Sequence, residues 1–140
     1  MIEPFDIEFF EEPVTQNDIR QMAELRSQTT IRLACGQNEG QAYRFRDMMI
    51  AGAVDIIQPN VAITGGFTQC QKIAALANSF NISVDNGGAW PFFNQHLQAG
   101  LSNGGLVEYH YSSVEVCKHI YTGLPEPEQG WLTMTDTPGL

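Results

Sequence analysis

Short apolar runs recur along this chain, and each is followed by polar or glycine-containing residues and then by a segment whose apolar positions repeat with helical period. Ile7 to Phe10 leads into "EEPVTQNDIRQMAELRSQ", where Ile19, Met22, Ala23 and Leu25 mark one helix face and Asn17 or Asp18 is placed to cap it. Ile31 to Ala34 leads into "CGQNEGQ" and then "AYRFRDMMIAG", closed by Gly52. Val54 to Ile57 leads through "QPNVAITGG" into "FTQCQKIAALANSF", with Cys70, Ile73, Ala74, Ala77 and Phe80 at helical spacing. Ile82 to Val84 leads through "DNGGAWPF" into "FNQHLQAGLS", and Leu106 to Val107 leads into "EYHYSS".

Residues just past these runs include Glu11, Gly36, Asn60, Asn86 and Glu108, about 22 to 26 positions apart, which is the length of a strand, a helix and two short loops. Apolar strands alternating with helices of this size predict an α/β fold with a parallel sheet, either doubly wound or a (β/α)8 barrel. In both architectures chemistry gathers at the carboxyl ends of the strands. The polar residues there are Glu11, Glu12, Gln37, Asn38, Glu39, Asn60, Asp85, Asn86 and Glu108. Carboxylates and amides converging on one point suit Mg²⁺, a hard cation that takes oxygen ligands. The same residue types suit turns and helix caps, so spacing alone leaves a purely turn-forming role equally open.

Composition narrows the partners. With 140 residues and 43% hydrophobic content the chain can bury a core, as one domain or as a piece of a larger one. A formal charge of -9 offers no basic stripe for phosphates, which argues against nucleic acid and anionic membranes. Cys35, Cys70 and Cys117 lack CxxC or His-paired spacing, so neither a disulfide framework nor a zinc site is supported and a reducing, cytoplasmic setting is expected. No stretch approaches the roughly 18 apolar residues of a membrane span, and "MIEPFDIE" lacks the basic and apolar regions of a signal peptide.

The strings "IEFFEEPV", "RLACGQNE", "GAVDIIQPNVAITGGFTQCQKIAALANSFNISV", "NGGLVEYH" and "GWLTMTDTPGL", in this order and spacing, resemble the enolase superfamily, and within it the mandelate racemase/muconate lactonizing enzyme type. The likeness runs over essentially the whole chain. It implies the C-terminal part, about strands 4 to 8, of a modified (β/α)8 TIM-like barrel. Residues 1–140 are then expected to be a partial barrel domain, with the N-terminal capping domain and first barrel strands absent. The implied activity is Mg²⁺-dependent abstraction of the proton α to a carboxylate. The expected substrate is a small carboxylate or acid sugar, and the parent enzyme is expected to be a homo-oligomer.

Residue by residue, the resemblance places Glu11, first acid of the Glu-Glu-Pro turn, as a metal ligand. The next strand of the family ends Gly-Glu, whereas here Gly36-Gln37 stands in its place with Glu39 two residues on, so either Gln37 or Glu39 is the implied ligand. Asn60 and Asn86 stand where the racemase branch carries its Asp and His, and neither amide exchanges a proton near neutral pH. Glu108 maps onto the carboxylate that many members aim at substrate. No lysine lies between Val61 and Gly66, Lys72 falls on the following helix, and the implied base therefore lies outside this segment. His96 and His119 read as surface or packing residues, His110 as a partner of Glu108, and Trp90 and Phe92 as an apolar wall of the site or of the barrel-helix interface. The implied function is an acid-sugar dehydratase. A racemase or epimerase, or an inactive homologue serving as a binding or assembly subunit, stays open beside it.

Overall fold

The computed structural model describes residues 2–139. Five strand-helix units follow one another: β1 (Phe9–Glu11) and α1 (Ile19–Ser27), β2 (Arg32–Cys35) and α2 (Ala42–Ile50), β3 (Ile56–Ile57) and α3 (Gly66–Ser79), β4 (Ser83–Asn86) and α4 (Pro91–Ala99), β5 (Gly104–Val107) and α5 (Tyr111–Cys117). The strands pair in chain order, β1-β2-β3-β4-β5, and every pair is parallel. Among the described residues no helix is long and apolar enough to cross a membrane.

Local chemistry explains most boundaries. The Asp18 carboxylate accepts from the Gln21 backbone N–H at 3.0 Å and starts α1. Gly52, at φ +63°, ends α2 in the left-handed turn that glycine adopts without penalty. Strand β3 shrinks to two residues where the apolar run Val54 to Ile57 suggests four, because the Asp55 side chain takes over part of the ladder. Its Oδ2 accepts from Leu33 N at 2.9 Å while Oδ1 accepts from Arg26. Phe80 does not continue the buried face of α3: the helix stops at Ser79, Asn81 turns left-handed at φ +57°, and Phe80 is left 41% exposed.

One core lies between the sheet and its helices. Leu33, Cys35, Ile57 and Val84 point from the strands into Met22, Phe45, Met48, Met49, Ile73, Ala74 and Ala77 from α1, α2 and α3. Ala34 and Ile56, of opposite parity, are also fully buried, so the middle of the sheet is covered on both faces as parallel sheets require. The outer strands differ. Phe10 on β1 is 41% exposed and Leu106 on β5 is 57% exposed, so both sheet edges present apolar side chains to solvent.

Candidate functional site

Parallel pairing puts the carboxyl ends of all five strands on one edge, and backbone bonds knit them there. Glu12 N donates to Ala34 O at 2.9 Å, Gln58 N to Cys35 O at 2.9 Å and Glu108 N to Asn86 O at 2.8 Å. The two adjacent acids after Phe10 resolve their repulsion by diverging. Glu12 takes a left-handed φ of +43°, and its carboxylate accepts from Asn17 Nδ2 at 2.9 Å and Gln37 Nε2 at 3.4 Å. Glu11, the last residue of β1, turns instead to Gln58, whose Nε2 donates to Glu11 Oε1 at 2.5 Å.

The segment after β4 folds against this pair. A Cβ on Gly87 would sit 3.0 Å from Glu11 Oε1 and 2.9 Å from Gln58 Nε2, and one on Gly88 would sit 2.8 Å from Gln37 Oε1. Only glycine lets the backbone come so close. Two of the sequence candidates hold that segment in place. Asn60, fully buried, donates both amide protons, to Gly87 O at 2.9 Å and Ala89 O at 2.7 Å, while its own oxygen accepts from Ala62 N at 3.0 Å. Glu108 Oε2 accepts from Gly88 N at 2.5 Å. Asn86 donates to Pro59 O, and its Oδ1 is buried without a partner.

Glu39 is placed differently. Its carboxylate is gripped by Arg44 of α2 through two bonds of 3.0 and 3.1 Å, and hydrogen bonding to Glu39 pushes the Arg44 guanidinium pKa up. It makes no hydrogen bond to Glu11 or Gln37 among the described residues. Asp85 also points away from the other strand ends: its Oδ1 accepts from Leu106 N at 2.9 Å, across the irregular register between β4 and β5. His110 caps α5, its Nδ1 accepting from Ser113 N at 3.3 Å, and Lys72 is exposed on α3. Phe92 packs with Val114 and Cys117 under α5, and Trp90 packs partly buried against that cluster. The Cys35 thiol is pushed up to about 12, chiefly by burial and then by the nearby carboxylates of Glu12 and Glu39, so it carries no thiolate chemistry.

The family described as enolase C-terminal domain-like matches residues 1–140. The chain belongs to that family. A D-galactonate dehydratase family member of Enterococcus gallinarum is 26% identical over 145 residues, covering 99% of this chain and 36% of that protein. A mandelate racemase/muconate lactonizing enzyme from a marine actinobacterium, solved in complex with magnesium, superposes with a TM-score of 0.87 at 31% identity, over 99% of this chain and 39% of that one. L-talarate dehydratase from Polaromonas sp. JS666, complexed with Mg and L-glucarate, superposes with a TM-score of 0.82 at 26% identity, over 92% of this chain and 35% of that one. The chain thus spans little more than a third of the length of these relatives. The five-stranded parallel sheet is the C-terminal barrel portion of the enolase-superfamily fold.

Among the described residues no three His, Cys, Asp or Glu side chains gather closely enough to hold a metal by themselves. The strand ends do supply the right kind of atom. Glu11 gives a carboxylate, and the amide oxygens of Gln58 and Asn86 are buried with no hydrogen-bond partner. A carboxylate and amide oxygens are the donor types that a hard divalent cation takes. Gln58 is the site residue that the apolar pattern passed over. Its signal was present, since it is the first polar residue after Ile56 and Ile57 and shares strand parity with Asn60.

Proposed function

We propose that this chain forms part of the active site of a Mg²⁺-dependent enolase-superfamily enzyme that abstracts the proton α to a carboxylate, with dehydration of an acid sugar as the reaction. The observation that carries this reading is Glu11, a strand-end carboxylate held among amides on a sheet whose relatives include named acid-sugar dehydratases. Bound at Glu11 with Gln37 as a neutral neighbour, the cation would supply positive charge to offset the charge that develops on the substrate carboxylate. Glu11 holds the anionic end of that site. Glu12 accepts from Gln37 Nε2, which leaves Gln37 Oε1, beside Gly88, available as the neutral donor. Glu108 and Asn60 fix the Gly87–Gly88 backbone, which narrows the space a ligand can enter.

The proton itself needs a base from outside these residues. Lys72 is exposed on a helix and His110 is occupied as a cap, while the amides of Asn60 and Asn86 cannot take a proton. With no histidine base on this wall, one-base elimination suits it better than two-base racemisation. A second reading, an inactive homologue serving as a binding or assembly subunit, is favoured by the full commitment of Asn60 to the Gly87 and Ala89 carbonyls.

Calorimetric titration of Mg²⁺ tests the assignment. Glu11→Ala removes a full charge from beside a dication, so affinity should fall about 10–100-fold, with a smaller loss for the neutral Gln37→Ala. Glu39→Ala should leave Mg²⁺ affinity near wild type, because its carboxylate belongs to Arg44. Equal affinity in wild type and Glu11→Ala would refute the metal site.

A further inference from the structure

Gln58 stands just past β3, only 2% exposed, and reaches across 47 residues of sequence to Glu11. Its amide orientation is set by chemistry, since only the Nε2 side can donate to a carboxylate and the oxygen would be repelled by it. The oxygen is therefore turned away from Glu11, and there it is buried with no partner. Asn86 repeats the pattern on the next strand: its nitrogen goes to the carbonyl of Pro59, beside Gln58, and its Oδ1 is likewise buried and unpartnered. Buried acceptors left without donors are uncommon in folded proteins, and each is expected to have a donor in the functional state. Two acceptors of the same kind on adjacent strand ends suit a hydrogen-bond donor or a cation and not an anion.

We propose that Gln58 is a positioning residue for Glu11, fixing its carboxylate through Nε2, and that Gln58 Oε1 accepts a hydrogen bond from an O–H of the loaded site, either a cation-bound water or a ligand hydroxyl. The proposal rests on the reading that a divalent cation binds at Glu11. Gly87 belongs to the same arrangement, because a side chain there would press on both partners.

The experiment follows thermal unfolding of the chain as Mg²⁺ is raised, for wild type, Glu11→Ala, Gln58→Leu and Gln58→Glu. Gln58→Leu keeps the bulk and removes both polar atoms, so its unfolding temperature without Mg²⁺ should stay near wild type while the half-saturating Mg²⁺ concentration rises about tenfold or more. Gln58→Glu puts a second carboxylate against Glu11; it should unfold at a lower temperature without Mg²⁺ and gain more from Mg²⁺ than wild type does. A residue that served only packing would lose stability in Gln58→Glu without recovery by the cation. That result, or equal half-saturation in wild type and Gln58→Leu while Glu11→Ala is impaired, overturns the role of Gln58 and leaves the cation site standing. If Glu11→Ala responds to Mg²⁺ like wild type, or no variant responds, the cation site itself falls and the role of Gln58 with it.

Discussion

Single side chains in this chain do work that their residue type alone does not announce. Asp55 is an example, lying between two apolar pairs and closing the start of the β2–β3 ladder. Burial pushes its carboxyl upward, and the Arg26 guanidinium together with the Leu33 N–H outweighs that and holds it below the usual carboxylate range. A carboxyl depressed in the folded state stabilises the fold above its unfolded pKa, and that contribution is lost as pH falls through the folded value. The chain should therefore lose stability on acidification below about pH 4. Asp55→Asn should reduce that acid loss and cost about 2 kcal/mol at neutral pH, read from denaturant unfolding at the two pH values. An unchanged acid profile in Asp55→Asn would remove Asp55 from the account.

Elements are where the apolar pattern performed well and where its failures have identifiable causes. Asp18, Gly52 and the buried Cys70, Ile73, Ala74 and Ala77 stand as capping rules and helical period predict. Phe80 fails because a helix face is only as long as its helix. Pairing of β4 with β5 depends on a contact that periodicity cannot express: Asp85 reaches over Gly105 to bond Leu106 N, and a Cβ on Gly105 would collide with the Asp85 carboxylate. Gly105→Ala should therefore destabilise by about 1–3 kcal/mol, measured by chemical denaturation. Adding Asp85→Ala should recover part of that loss, since the two changes act on one contact. Strictly additive effects would show that the collision relaxes elsewhere.

Taken whole, the molecule is a sheet with a doubly covered centre and thinly covered flanks. Ile56 and Ile57 are fully buried, whereas Phe9 and Phe10 of β1 remain partly or largely open. Local opening follows burial, so backbone amides of β3 should exchange with deuterium most slowly and those of the edge strands β1 and β5 fastest. Mass spectrometry of exchanged peptides measures this directly. Comparable protection in β1 and β3 would mean that the edge at Phe10 is covered in solution.

By itself the sequence determined the order of strands and helices, their α/β class, and the line of polar residues at the strand ends, because periodicity, caps and turns are local. Through the resemblance of its Glu-Glu-Pro turn it also singled out Glu11 as the proposed metal ligand. Tertiary structure decided which of those polar residues face one another. Gln58 meets Glu11 across 47 positions, Asn60 reaches Gly87 across 27, and Glu108 reaches Gly88 across 20, and no local rule links such pairs. Glu39 and Arg44, only five apart, were within reach of a local reading, yet Glu39 lies in the irregular stretch before α2 and Arg44 in the first turn of that helix, so only the folded path shows that they close on each other. Hydrogen-bond partners are assigned by distance in space, and in a parallel sheet the strands that touch are separated in sequence by an entire helix.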